Sequence, residues 1–222
     1  MNRVLKFKQS ADSIVHLTSD WHIFHNPKWD VPIWKVRGFN SVEESDEYII
    51  NSINDNVGVN DVLINLGDPT LNCSEGQFEG LLSRIKCQRI YLLFGNHNSP
   101  CWSIYRREVD KLFANIAGGV DQGDTEYELY PFRYRNLIFV GDYLEFVVDG
   151  TKCVASHYPI YSFNGQAKGA FQFFGHIHSN IDTIKQSGRK MDVGFDYHRK
   201  PISFNDAKKL LLKIPVAHEG HH

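Results

Sequence analysis

Apolar positions in this chain fall into short runs separated by stretches of helical period. Ile14 to Thr18 reads as a buried strand. Ser41 followed three residues later by Glu44 predicts a capping box. The helix it opens runs to about Asn56, with Val42, Tyr48, Ile49 and Ile53 on its apolar side. Asp61 to Leu66 is a second strand, Ser74 to Ile85 a helix, Arg89 to Phe94 a third strand and Trp102 to Phe113 a helix. This β-α-β-α-β alternation predicts parallel strands with covering helices. The second half changes character. Glu126 to Tyr130, Asn136 to Val140, Leu144 to Val148 and Thr151 to Ser156 read as short strands, with Asp149-Gly150 a two-residue hairpin turn. Phe171 to Phe174, Ile181 to Lys185 and Lys190 to Val193 are further strands, and Asn205 to Lys213 a closing helix. No internal repeat or Pro-rich linker interrupts the chain. The expectation is one α/β domain over residues 1–218, built of two packed sheets flanked by helices.

Several of these runs end on residues that bind metals. The islands are Asp20-Trp21-His22, Gly67-Asp68, Gly95-Asn96-His97, His157 and Gly175-His176-Ile177-His178. Strand ends are where an α/β sheet gathers distant residues into one crevice. Each island has an ordinary explanation: Gly-Asp is a common turn, Gly-Asn supplies positive φ, and alternating His can decorate an exposed strand. The whole set, in order and each after an apolar run, is hard to attribute to chance. Pooled, these groups exceed the needs of one ion and suit two ions sharing a carboxylate.

The ordered set resembles the calcineurin-like metallophosphoesterases, from about Ser13 to Lys209. It is most similar to small bacterial and phage-type members, through His25, through Arg37-Gly38-Phe39 before the helix start at Ser41, and through Val193-Gly194-Phe195-Asp196 before Lys200-Pro201. The resemblance implies a four-layer α/β/β/α sandwich. It implies one cation on Asp20, His22, Asp68 and His178, and a second on Asp68, Asn96, His157 and His176, with Asp68 bridging. It further implies a hydroxide between the ions as nucleophile and His97 as general acid. Mn is the expected metal, with Fe, Zn, Ni or Mg as alternatives. Where many relatives carry Asp or Glu after Gly-Asn-His, this chain has Asn98, which supplies no charge to raise the pKa of His97. Further candidates are His25, as a phosphate contact or a support for a ligand, and Arg37, as a bidentate phosphate clamp. Tyr158 and Tyr161 are candidate pocket walls, and Asp196 and His198 candidates to approach the site. Trp21 and His16 read as structural.

The expected function is hydrolysis of a phosphoester, in a small phosphodiester or nucleotide. A pyrophosphatase or nuclease of the same superfamily, or a non-catalytic metal-binding scaffold, are the alternatives. The chain has 222 residues and a formal net charge of -2, so no broad basic footprint points to nucleic acid. Gly67-Asp68-Pro69-Thr70 departs from the Gly-Asp-x-x-Asp-Arg-Gly pattern of protein phosphatases. Cys73, Cys87, Cys101 and Cys153 lack Cys-x-x-Cys spacing, which fits scattered thiols in a cytoplasmic protein. No run is long and apolar enough for a membrane span. Glu219-Gly220-His221-His222 looks like the end of a purification tag, so those His are set apart from the metal ligands.

Overall fold

A computed structural model describes residues 4–28, 30–97, 99–117, 133–180 and 188–217. The expected strands at Glu126 to Tyr130 and Ile181 to Lys185, the residue Asn98 and the segment 219–222 lie outside the described residues.

In chain order, the first half contains β1 (Leu5–Phe7), β2 (Val15–Thr18), α1 (Ile33–Val36), α2 (Val42–Asn56), β3 (Val62–Asn65), α3 (Glu75–Arg84), β4 (Ile90–Leu93) and α4 (Cys101–Ala117). The second half contains β5 (Arg133–Tyr134), β6 (Leu137–Gly141), β7 (Tyr143–Val148), β8 (Thr151–Ser156), β9 (Phe171–Phe174), β10 (Lys190–Asp192), α5 (Phe195–His198), β11 (Ile202–Ser203) and α6 (Phe204–Leu211). They form a six-stranded sheet in the order β11-β2-β3-β4-β6-β5 and a five-stranded sheet in the order β1-β7-β8-β9-β10. β2, β3, β4 and β6 are parallel neighbours, as the β-α-β alternation predicts. β7 and β8 form the antiparallel hairpin, with Asp149 at φ 46° and Gly150 at φ 79° in the turn. β8 and β9 then run parallel.

Alternation along the strands divides the core. Val15 and Leu17, Val62 and Ile64, and Tyr91 and Leu93 face Phe146, Ala155 and Phe173 of the other sheet. Leu63, Ile90, Leu92 and Phe139 pack instead under Ile49, Ile53, Phe78, Leu82 and Ile104 of α2, α3 and α4. α6 buries Phe204, Ala207 and Leu211 in the cluster between the sheets, beside β2, β10 and β11. Among the described residues, the outer face of the five-stranded sheet carries Val154 with Phe163 and Ala170 from the 157–170 loop. The described elements thus form a two-sheet sandwich with helices over the six-stranded sheet and α6 packed into the seam.

Local chemistry explains the element ends. Ser41 Oγ accepts the Glu44 N–H at 3.1 Å, but the Glu44 carboxylate reaches back one residue further than expected, to the Asn40 N–H at 2.7 Å. Ser74 and Gln77 make the full reciprocal box on α3. Within α2, Tyr48 is 43% exposed rather than on the apolar side, while Ile50 is buried. The Tyr48 ring lies against Phe39 and Phe195 at the helix margin.

Asp46 is the buried carboxylate of α2 and accepts the Phe24 N–H at 3.1 Å. Burial pushes its pKa up to about 7, opposed by that hydrogen bond. Between an unfolded carboxylate pKa of about 3.9 and the raised value, the native state holds a proton that the unfolded chain releases. Stability therefore falls as pH rises through this window. Asp46→Asn keeps an acceptor for Phe24 and removes the charge, so it is expected to raise the melting temperature at pH 8. The gain should be absent at pH 4. Equal melting shifts at both pH values would exclude this account.

Candidate metal centre

The islands meet at the carboxyl ends of parallel strands. Asp20 follows β2, Asp68 follows β3, Asn96 follows β4, His157 follows β8, and His176 with His178 follows β9. Backbone bonds knit the islands together. Asp20 N–H donates to Gly67 O at 3.1 Å, His22 N–H to Asp68 O at 3.0 Å and Gly175 N–H to His157 O at 2.9 Å.

The turns that present these side chains are strained. Asp20, His22, Asp68, His176 and His178 all have left-handed backbones, with φ between 47° and 70°. A non-glycine residue in that region costs on the order of 1 kcal/mol or more, and clusters of such residues mark functional sites. The neighbouring glycines make room. A Cβ on Gly95 would lie 2.0 Å from Asp68 Oδ1, and one on Gly175 would lie 2.3 Å from Asp20 Oδ2. At Gly67, a Cβ would meet His157 Nδ1 at 2.7 Å. Glycine at these positions is therefore a steric requirement of the ligand cluster.

Nitrogen and oxygen atoms able to bind a cation converge between these turns. His157 Nδ1 sits 3.0 Å from Leu66 O, so Nδ1 carries a proton, and in the neutral ring Nε2 is the atom open to a cation. That Nε2 lies 2.8 Å from Asn96 Oδ1 and 3.4 Å from Asp68 Oδ2. His176 Nδ1 approaches the same Asn96 oxygen at 2.9 Å. His22 Nε2 stands 3.7 Å from Asp20 Oδ1 and 3.8 Å from Asp68 Oδ2, too far for hydrogen bonds. Asp20 Oδ1 and both His22 nitrogens are buried with no hydrogen bond among the described residues. Buried unsatisfied groups of this kind cost roughly 1–3 kcal/mol each unless something else meets them. A cation placed between them would meet them. Asp20, His22 and His178 form one candidate metal group, and Asp20, Asp68 and His157 another. Asn96 and His176 join the second through the shared oxygen contacts.

The surrounding contacts hold this set in place. His97 N–H donates to Asp68 Oδ1 at 2.8 Å, and His176 N–H to Asp20 Oδ2 at 2.9 Å. His178 Nδ1 meets Asp196 Oδ2 at 2.7 Å, which leaves Nε2 for a ligand role. Burial alone would lower the His178 pKa, but the Asp196 hydrogen bond and the nearby Asp20 raise it above the ordinary value. Burial likewise opposes ionisation of Asp196, yet His178 and Arg37 hold its carboxyl well below the usual carboxylate range.

Arg37 corrects an expectation. Its Nε and Nη2 grip the Asp196 carboxylate at 2.7 and 3.0 Å, Nη1 donates to Trp21 O at 2.7 Å, and Nη2 to Asp20 O at 2.7 Å. Its side chain is 1% exposed, so it braces the ligand turn rather than reaching out as a phosphate clamp. His25 lies at the rim, with its ring 5.9 Å from that of His22 and its Nδ1 accepting the Ile33 N–H. Burial, helped by the His22 and His97 imidazoles, pushes its pKa down to about 4, so it is neutral at pH 7. The ring of His97 packs 5.5 Å from that of His22. Burial lowers its pKa below the ordinary value, against the pull of Asp68.

Asp196 thus does approach the site, whereas His198 turns away to Asp192 O at 2.9 Å. Trp21 is buried with Nε1 bonded to Thr18 Oγ1, and His16 is buried beside Asp61, both in structural roles. Tyr158 packs edge-on against His176 and His157, while Tyr161 is 82% exposed.

Strand order and site together define a mixed α/β sandwich with candidate metal-binding side chains at its strand ends. No family model matches the chain, and no curated protein matches it. Among solved structures it is similar to the crystal structure of the protein of unknown function AQ665 from Aquifex aeolicus. The TM-score is 0.58 at 16% sequence identity, over 89% of this chain and 99% of that one. At that identity the match is one of fold. No described helix is long and apolar enough to cross a membrane.

Proposed function

We propose that this chain is a metal-dependent phosphoesterase of the calcineurin-like type, acting on a small phosphorylated substrate. On this reading the two packed sheets, with helices over the six-stranded one, are the core of the four-layer arrangement of that superfamily. The observation that carries the proposal is the convergence of oxygen and nitrogen atoms able to bind cations, several of them buried without a hydrogen bond. His157 Nε2, Asn96 Oδ1 and Asp68 Oδ2 face one another, beside the unpartnered Asp20 Oδ1 and His22 imidazole. The donor set is oxygen and nitrogen without sulfur, which suits Mn²⁺ first and Fe, Zn, Ni or Mg as alternatives.

Asp20, His22, Asp68 and His178 would hold one divalent cation, and Asp68, Asn96, His157 and His176 the other. When bound, two such cations supply acidity to water and positive charge opposite the phosphoryl oxygens. The chain supplies the rest. Asp68 is fixed by the His97 N–H, so its second oxygen is free to be shared. Asp196 and Leu66 fix the tautomers of His178 and His157. In the reaction the water oxygen joins phosphorus after losing a proton to solvent, the bond to the leaving alcohol breaks, and that alcohol oxygen takes a proton. His97 is the donor of this proton.

The test is hydrolysis by metal-stripped protein resupplied with Mn²⁺, run in parallel on bis-p-nitrophenyl phosphate and p-nitrophenyl phosphate, with Asp68→Asn as control. Expected is Mn²⁺-dependent turnover of the diester that Asp68→Asn reduces to background. Turnover unchanged in Asp68→Asn, or none with any phosphoester or pyrophosphate, overturns the proposal.

A further inference from the structure

A cleft of about 700 Å³ opens beside Asn96, and Phe94, Ser99, Trp102, Asp142 and Tyr158 are among its walls. Its size is that of a small-molecule site. Nothing in the ligand cluster requires its aromatic character. Trp102 is 48% exposed and Tyr158 50% exposed. Each is braced on the protein side. Trp102 stands edge-on to Phe94 at 5.2 Å and stacks with Tyr105 at 5.6 Å. Tyr158 leans on His176 at 4.6 Å and His157 at 5.1 Å, which ties this wall directly to the ligand residues. Braced, half-open rings offer flat apolar surface at low entropic cost.

Charge narrows the occupant. The titratable wall residue nearest in character to a selector is Asp142, an exposed carboxylate, and no Lys or Arg is among the described residues lining the cleft. A second phosphate would be repelled there, whereas an N–H donor would be accepted. A second cleft of about 460 Å³ at His178 is lined instead by Val31, Ile33, Val36 and Arg199, with no Trp or Tyr among its described wall residues. A planar group with amino hydrogens, attached to a phosphate, fits the first cleft, whose described walls carry both the aromatic faces and the carboxylate.

We propose that the cleft beside Asn96 is a nucleobase subsite, formed by Trp102, Tyr158 and Asp142 and selective for a base with an exocyclic amino group. The phosphoester processed at the adjacent ligand cluster is then that of a nucleotide; this part rests on the phosphoesterase reading, whereas base binding does not.

The test is a titration of 2-aminopurine deoxyriboside 5′-monophosphate into Mn²⁺-supplied protein, read by quenching of the base fluorescence. Saturable quenching is expected. Stacking on one aromatic ring predicts that Trp102→Ala and Tyr158→Ala each weaken it roughly 5- to 150-fold. Asp142→Ala, at an exposed position, should erase the preference for adenosine 5′-monophosphate over purine riboside 5′-monophosphate as competitor. Circular dichroism confirms that each variant is folded. No quenching, or wild-type affinity in both aromatic variants, overturns the subsite. Quenching without hydrolysis of any phosphoester keeps the subsite and overturns the phosphoesterase reading. Hydrolysis without quenching does the reverse.

Discussion

Replacing His97 by alanine is expected to lower turnover by about 10²- to 10⁴-fold, the usual loss when a positioned general acid is removed. The ring lies next to His22, and its backbone N–H anchors Asp68, which the substitution leaves in place. Metal content should therefore stay at the wild-type value while the rate falls. The deficit should be larger for an alkyl leaving group than for p-nitrophenolate, which departs without needing a proton. The pH dependence follows from burial, which lowers the His97 pKa against the attraction of Asp68. The protonated form is the acid, so the His97-dependent part of kcat/KM falls as pH rises through a value below the ordinary one of about 6.5. His97→Ala should lack that limb. Full turnover with an unchanged pH profile would remove His97 from the chemistry.

The largest loss of stability is expected from Arg37→Ala. Its guanidinium is fully enclosed and bonds at once to Asp196 and to the carbonyls of Trp21 and Asp20. Removing it leaves the part-buried Asp196 carboxylate with His178 as its remaining charged partner, at a cost up to the roughly 3–5 kcal/mol of a broken buried pair. Asp196 also orients His178, so metal affinity should fall by about 10- to 100-fold, as for other groups that orient a ligand. Arg37→Lys should recover little, because an ammonium cannot span both carboxylate oxygens and two carbonyls. Asp196 has a depressed pKa, so the stability it contributes is present above the unfolded carboxylate value and is lost as pH falls through the folded value. The gap between wild type and Arg37→Ala should thus close only in strong acid. Urea unfolding across pH measures it; coincident midpoints at pH 7 would contradict the role assigned to Arg37.

The ligand cluster was legible because each member sits just past an apolar run long enough to show itself. Val62–Asn65 and Ile90–Leu93 are buried at every position, so they read as continuous apolar segments that end at Asp68 and Asn96. The Arg37–Asp196 bridge was not legible as such. Its partners stand 159 residues apart, and an arginine near a phosphate site has the same appearance in sequence whether it clamps substrate or braces a loop. The segments Ile33–Val36 and Phe195–His198 were also missed as helices, being too short to display a 3.6-residue period. Leu5–Phe7 gave no signal because three residues carry no alternation, and its pairing with Phe146–Val148 is set by tertiary packing. The cleft walls follow the same logic: Trp102 lies on a helix and Asp142 between two strands, and only the fold brings them together.

Asp20, Asp68 and Asn96 follow strands of one sheet, whereas His157 and His176 follow strands of the other. Cations held by this set would act as a clasp across the seam between two separately hydrogen-bonded layers. Their binding energy would then appear as resistance to separation of the layers, by about 2.7 kcal/mol when free metal is a hundredfold above its dissociation constant. On the proposed reading, a chain in which the layers have not yet docked would hold only part of the coordination set, so assembly of the tertiary structure itself would be the step that switches the centre on.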